Sequence, residues 1–415
     1  MAVVAWILLG ALSERSNETL RARGYPTTLA ELDDWYATPP HGENAADYFL
    51  EAGTQLERST FPGLALLPIV GDAESWPLGT SMPDAMREAV GAYLQHESSA
   101  FQLLDEGAQY ESARYPVNLN LGVNGLPFAH FKPLRFSVRG QNIRVLYLSG
   151  QADTTALMNE YETLVGIARS LRNEPTLIAC MVHVAIVQMT VETVERILNE
   201  NALDRVQLED LDASLIRLLD GDVMLRAIVG ELCFSTNSPG LPSTVPFIGG
   251  ILQSDYSKTM TEFIEVLESG LPDALDAYET LTTRRYSFFR PLSSQLAPSL
   301  SRSMQSYYEM RARIMAARAA VAIQLLRLDG SPLPDTANEI PESVRSRWPV
   351  DPFRGKPLKY ERRDDGFVVY SVGGDCVDSG GRTLEEMQSE NGNLAARSLS
   401  SGLEFSGDVV IRVLK

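Results

Sequence analysis

The residues able to do chemistry are few and scattered. Histidine is the side chain that changes charge near neutral pH, and the chain has four: His41, His96, His130 and His183. None is paired at a metal-ligand spacing such as HExxH. His183 falls in an apolar run and reads as a hydrogen-bonded core residue. His130, between Phe128 and Phe131, reads as loop packing rather than as a base. There is no GxSxG, no P-loop and no GxGxxG, and Gly249-Gly250 lacks a following Lys-Ser/Thr. Acidic pairs such as Asp33-Asp34, Glu209-Asp210 and Asp364-Asp365 abound. With 54 Asp and Glu in the chain, chance supplies such pairs, and solvated faces and turns account for them. A glycosidase-type pair cannot be picked from them without geometry. The three cysteines, Cys180, Cys233 and Cys376, form no CxxC and no disulfide framework. Cys180 and Cys233 read as small buried hydrophobes. Cys376 lies in a polar Gly/Asp loop and is expected nearer the surface.

The elements that must position these residues are mostly helices. The chain has 415 residues, 44% of them apolar, which is ample for a core and suggests two or three domains. Its formal net charge is −18, and no Lys/Arg run offsets it. Such a field repels nucleic acid and excludes that class of partner. Thr28-Leu29-Ala30-Glu31 has capping-box spacing. A second helix is predicted from about Glu43. Residues 59–81, rich in Pro and Gly, predict a long surface loop. Pro83 opens a helix predicted to run to about Gly107. Residues 108–133 are irregular again.

A helical body begins near Leu134. Leu157, Tyr161, Leu164, Val165, Ala168 and Leu171 keep a 3.6-residue period. Leu177 to Val187 is apolar all round except His183, which predicts a helix buried on every side. Ser238 to Gly250 reads as a Pro/Gly loop. Its apolar stretch, Leu241 to Ile251, is either an interaction surface or an inward-folded cover. A long helix is predicted from about Ser299 to Leu328. No motif recurs at a fixed period, which leaves an irregular bundle and an α-solenoid-like body both open. After Gly330 short strands are predicted around Asp364-Asp365-Gly366, with a final strand through Val409, Ile411 and Val413. The predicted class is therefore mainly α, with a small C-terminal α+β unit. The expected divisions are 1–12, 13–133, 134–298 and 299–415. Ala2 to Leu12 is apolar but shorter than the roughly 20 residues of a spanning helix, and no basic region precedes it. It reads either as the remnant of a membrane anchor or as a buried helix.

Two motifs in the last division carry a resemblance. The first is Asp351-Pro352-Phe353-Arg354-Gly355-Lys356-Pro357-Leu358-Lys359-Tyr360. The second is Tyr370-Ser371-Val372-Gly373-Gly374-Asp375-Cys376-Val377-Asp378-Ser379-Gly380-Gly381. In this order, after a long helix, they resemble the globular head of type II secretion major pseudopilins. The resemblance covers roughly residues 305–415. No prepilin-type processing signature stands at the amino terminus, so pilus assembly is not expected. The whole chain resembles uncharacterised planctomycete-type envelope proteins that join a helical body to a pseudopilin-like tail. The segments Thr28 to Tyr36 and Leu171 to Leu177 are also similar to that group.

The resemblance implies a calcium ion in the second motif, held by Asp375 and Asp378 with carbonyls of Val372 or Ser379 as helpers. Calcium takes 6–8 oxygens at about 2.3–2.6 Å, and two carboxylates are few for a tight site. The alternative is that Asp and Gly here simply favour turns. The expected function is a non-enzymatic extracytoplasmic scaffold or interaction protein of the cell envelope, contacting other envelope proteins. The alternative is an enzyme or carbohydrate-binding protein, with a cleft between the helical body and the 59–81 and 108–133 loops. A cytoplasmic location is the alternative to the envelope.

Overall fold

The computed structural model describes residues 17–122, 126–237, 246–269, 291–391 and 407–414. The 1–12 segment and much of the 238–250 loop lie outside them. Among the described residues the chain is mainly helical, with one three-stranded antiparallel sheet near its carboxy end.

Local signals start the helices. Thr28 accepts from the Glu31 amide while the Glu31 carboxylate accepts from the Thr28 amide, a complete capping box for α1 (Leu29–Trp35). Asn44 caps α2 (Ala45–Glu57). The helix expected from Pro83 to Gly107 is two: α3 (Asp84–His96) and α4 (Ser98–Gly107). The apolar period carries across the break, which is why sequence alone joins them. α5 (Phe131–Leu148) crosses α2 so closely that a Cβ on Gly53 would sit 2.0 Å from the Pro133 carbonyl oxygen. Only glycine allows that approach.

Asp153 and Thr176 cap α6 (Thr154–Arg169) and α7 (Leu177–Glu200). Asp204 and Gln207 form a second capping box at α8 (Arg205–Arg217). There follow α9 (Val223–Asn237), α10 (Pro246–Glu268) and α11 (Pro291–Leu328). Thus Pro246 to Ile251 begins a helix, where the sequence reads as loop. α11 likewise starts earlier than Ser299.

α7 is the hub. It packs against α5, α6, α9 and α11. By length and composition it could cross a membrane, with hydropathy 1.8 over its most apolar window. That window is 56% buried inside the protein, as the core helix of a helical body would be.

The sheet has order β1 (Lys359–Arg363), β2 (Gly366–Ser371), β3 (Val409–Leu414). The expected turn at Asp364-Asp365 joins β1 to β2, and Gly366 pairs with both Arg363 and Leu414. Phe367 and Val369 of β2 share a core with Ile411 and Val413 of β3, and this core continues into the helical body. Val368, Tyr370 and Val410 form a small cluster of their own. The sheet is therefore built into the body, with α11 against β2 and β3 and α7 against β3.

The 59–81 segment is less superficial than its composition implies. It has the surface path expected of a loop, but Leu67 and Trp76 are buried. Isolated apolar residues without a period give no sign of this in advance.

Candidate functional site

The two C-terminal motifs fold onto each other through carboxylates. Asp351 is buried. Its Oδ1 accepts from the Phe353 amide and the Ser371 hydroxyl, both at 2.9 Å, and its Oδ2 accepts from the Val372 amide at 3.1 Å. Asp408, just before β3, accepts from the amides of Ser379 at 3.1 Å and Gly381 at 2.7 Å. Burial pushes the Asp408 carboxyl up to about 6, against those amides and with the help of the Asp378 charge. These two carboxylates tie the 371–381 loop to the sheet.

Asp375 and Asp378 lie in that loop. Asp375 is buried and its Oδ1 accepts from the Val377 amide at 2.9 Å. Asp378 is held by the Lys359 ammonium at 2.9 Å, the Gly380 amide at 3.1 Å and the Tyr370 hydroxyl at 3.2 Å. Burial opposes ionisation of Asp378, but Lys359 and the Gly380 amide outweigh it and hold the carboxyl below its usual range. A calcium ion needs several free oxygens directed at one point. Here the amides of Ser379, Gly380 and Gly381 are aimed at carboxylates, and Lys359 already supplies the cation. No group of three or more His, Cys, Asp or Glu able to hold a metal occurs among the described residues. As arranged, the Asp378 carboxylate is already met by Lys359 and the Gly380 amide.

A second feature has more room. A cleft of about 970 Å³ lies where α5, α7, α11, the 69–78 stretch and the sheet unit meet. α5 contributes Arg139 and Asn142, one turn apart. α7 contributes Gln188, Glu192, Glu195 and Arg196. α11 contributes Gln305, Glu309 and Arg313, and the sheet unit adds Glu385, Asp408 and Val409. Among the described residues the lining includes no aromatic ring.

Much of this wall is occupied with holding the fold. The Arg196 guanidinium lies 4.5 Å over the Trp76 ring and donates to the Trp76 carbonyl at 2.7 Å, fixing the 59–81 segment to α7. Arg313 faces Glu192 at 3.6 Å, and the Gln305 amide donates to Glu309 at 2.9 Å. Glu195 accepts from the Arg412 amide at 2.7 Å, and burial raises its carboxyl against that bond.

Three lining groups are different. Asn142 is 3% exposed, and its Oδ1 is buried without a hydrogen bond. Arg139 and Gln188 are half-buried and make no hydrogen bond or ion pair among the described residues. A buried amide oxygen without a partner costs about 1–3 kcal/mol. The residue that carries it belongs to the lining of the cleft.

The alternative cleft expected between the body and both irregular segments divides into two. The 59–81 segment borders the large cleft. Residues 108–113 border a separate one of about 480 Å³, with Glu160, Arg169 and Arg217 in its wall. Arg217 there is paired with Glu162, and Arg144 nearby joins Asp105 at 2.8 Å and Glu160 at 2.6 Å.

The histidines stand away from the large cleft's wall. His130 is buried, stacked on Tyr115 at 4.9 Å, and meets the buried Glu174 carboxylate at 3.0 Å. His183 is buried as expected, and its ring lies near the Ala168 backbone without a hydrogen bond of full geometry. Burial pushes the imidazole down to about 4, against the Ala168 backbone, which favours the charged ring. Cys180 and Cys233 are buried thiols raised to about 12 by desolvation, and Cys376 is half-buried.

No family model, curated protein or solved structure matches this chain.

Proposed function

We propose that the chain is a non-enzymatic binding protein whose site is the large cleft between the helical body and the sheet unit. The observation that carries this reading is Asn142. An amide 97% buried, in the wall of a cleft of about 970 Å³, with its oxygen unpartnered, is costly unless a ligand completes it. The ligand is polar, because Arg139 and Gln188 flank the same wall with free hydrogen-bonding capacity.

The charged groups of the wall favour binding over chemistry. Glu195, Arg196 and Asp408 each hold a backbone segment in place. The second reading, an enzyme, has one observation in its favour. Asp408 titrates near 6 in a cleft wall, the range of a general acid or base. Its oxygens, however, already accept from backbone amides.

Placement in the cell envelope, with other envelope proteins as partners, belongs to the same proposal and rests on the pseudopilin-like motifs at 351–360 and 370–381. Calcium is left out of it, because Lys359 already neutralises Asp378.

The test is a thermal-shift screen of short peptides, sugars, nucleotides and phosphate against the wild-type chain and Asn142→Leu. A polar compound that raises the melting temperature of wild type alone, and is recovered unchanged by mass spectrometry, supports the reading. A hit that is converted to product, with conversion lost in Asp408→Asn, transfers the assignment to an enzyme. A hit that stabilises both proteins equally removes the cleft from the proposal.

A further inference from the structure

The smaller cleft, of about 480 Å³, holds positive charge that the fold leaves loosely matched. It lies between α6 and the 105–113 stretch. Asn159, Thr163, Gly166 and Ser170 follow the spacing i, i+4, i+7, i+11 and line it as one stripe of α6. Three guanidiniums and four carboxylates complete the wall. Three of the carboxylates are fully engaged. Arg144 joins Asp105 at 2.8 Å and Glu160 at 2.6 Å, and Gln141 donates to the other Glu160 oxygen at 2.9 Å. Glu162 takes Arg217 and the Ser214 hydroxyl. The fourth, Glu111, has a side chain 79% exposed, so water and salt screen its charge.

Arg169 and Arg172 are matched less well. The Arg169 side chain is 12% exposed, and its Nε is buried without a hydrogen bond. Its ion pair among the described residues is with Asp220, at 3.5 Å, whose side chain is 53% exposed. Arg172, 18% exposed, donates to the Glu111 carbonyl at 3.0 Å and reaches the Glu111 carboxylate only at 3.9 Å. Burial holds the Arg172 guanidinium below its usual value. The charges of Arg169 and Arg226 push it the same way, against Glu111 and Asp220. Arg226 stands 4.2 Å over the Trp35 ring, with its Nη1 buried and unpartnered. Helix ends account for part of this gathering. Arg169 and Arg217 lie in the last turns of α6 and α8, where the helix dipole favours a cation. Arg172 lies beyond α6 and has no such support. Like charges brought together in a half-dry wall cost free energy unless an anion joins them.

We infer that the smaller cleft binds the phosphate group of a small phosphomonoester through Arg169 and Arg172. A phosphate carries up to two negative charges and several acceptor oxygens, so one group can meet two guanidinium forks at once. A carboxylate can fill only one. The cleft has room beyond the phosphate, and the body of the ester lies along the α6 stripe of Asn159, Thr163 and Gly166. The site is separate from the large cleft, and its failure leaves the proposed function as it stands.

The test is calorimetric titration of the full chain at constant ionic strength with inorganic phosphate, phenyl phosphate and benzoate. Phenyl phosphate is expected to bind at one saturable site, about tenfold or more tighter than inorganic phosphate, and benzoate to give no heat. Affinity is expected to fall about tenfold or more in Arg169→Gln and to recover in part in Arg169→Lys, with melting curves showing both variants folded. Arg172→Gln should weaken binding as far, but Arg172 also holds the Glu111 carbonyl, so Arg169 is the cleaner position. Arg139→Ala and Asn142→Leu, in the large cleft, should leave phenyl phosphate binding within about twofold. That pattern assigns a phosphate hit to this cleft and leaves the large one to its own test. No saturable heat with either phosphate in the wild-type chain overturns the inference, and needs no variant to do so. Benzoate binding as tightly as phenyl phosphate, or equal affinity in wild type and a folded Arg169→Gln, overturns it too. Inorganic phosphate binding as tightly as phenyl phosphate overturns the ester.

Discussion

Along one stripe, one helix presents the same kind of side chain to two neighbours, and only one neighbour is there among the described residues. At the carboxy-terminal end of α7, Glu195 and Asn199 are fully engaged by the backbone of β3. One and two turns earlier, Gln188 and Glu192 face an open cleft, opposite an Asn142 whose oxygen has no partner. The difference teaches that polarity along α7 has two uses. Where the strand fills the stripe, polar groups hold the fold together. Where nothing fills it, they are a cost that a ligand could remove.

The largest expected effect comes from emptying the filled half. Replacing Glu195 and Asn199 together by Leu leaves the Arg412 and Leu414 amides and the Arg412 carbonyl unpaired. The expected loss is about 3 kcal/mol of stability, measured by urea denaturation. A loss below about 1 kcal/mol would mean that water serves this edge equally well, and the contrast between the two halves would dissolve.

A polar group sealed in the core gives the next effect. His183 sits on α7 amino-terminal to the stripe, buried without a hydrogen bond of full geometry. Its folded value of about 4 lies below the 6.5 of a free histidine. The unfolded chain therefore binds the proton first as pH falls. The stability from the neutral ring is complete above about pH 6.5 and is lost progressively toward pH 4. A depression of this size corresponds to up to about 3 kcal/mol. Urea midpoints from pH 7 to 4 should show it, and His183→Leu should flatten that part of the profile. An unchanged profile in the variant would place the acid sensitivity elsewhere.

The filled half also shows what a sequence reveals and what it conceals. The hairpin at Asp364-Asp365 and the alternation of β3 were legible, because a turn and a period-two pattern are local. The apolar run of α7 marked a core helix but overstated its burial: the expected burial on every side fails at Ile178, which is 44% exposed. The bond from Glu195 to Arg412 joins residues 217 apart, and nothing local to either residue announces it. Asp408 escaped notice for the same reason, and Asp351 was seen only as the first residue of a motif. Each looks like a turn residue, and its role appears only when the 371–381 loop folds over it. Asn142 reads as an ordinary helix residue, because an unsatisfied oxygen is a property of the packing around it. Asp375 and Asp378 were visible only because their spacing matches a known motif, and the structure puts Lys359 beside one of them.

Asn142 gives a smaller effect of opposite sign to the first. Without ligand, Asn142→Leu exchanges a buried oxygen lacking a partner for an apolar group of similar size. A gain of about 1 kcal/mol is expected, against a loss for Asn199→Leu at the filled end. Both are read in one urea series. If Asn142→Leu costs as much as Asn199→Leu, Asn142 already has a partner and the cleft loses its central group.

The smallest effect sets the tail loop against the cleft. Lys359 and Asp378 are 49% and 39% exposed at their side chains, and a pair so hydrated contributes under about 1 kcal/mol. Lys359→Met should therefore barely move the urea midpoint. Its value is in what it does to cation binding. With Lys359 in place, calcium would have to displace an ammonium already 2.9 Å from Asp378, so calorimetric titration of the wild-type chain should give no calcium heat. Removing the lysine frees one carboxylate oxygen, but the amides around the loop still point toward carboxylates. Lys359→Met should therefore bind calcium weakly if at all, and only while Asp375 is present. Calcium heat in the wild-type chain that vanishes in Asp375→Ala would show that the loop rearranges around the ion. The tail would then carry a ligand site of its own, beside the cleft.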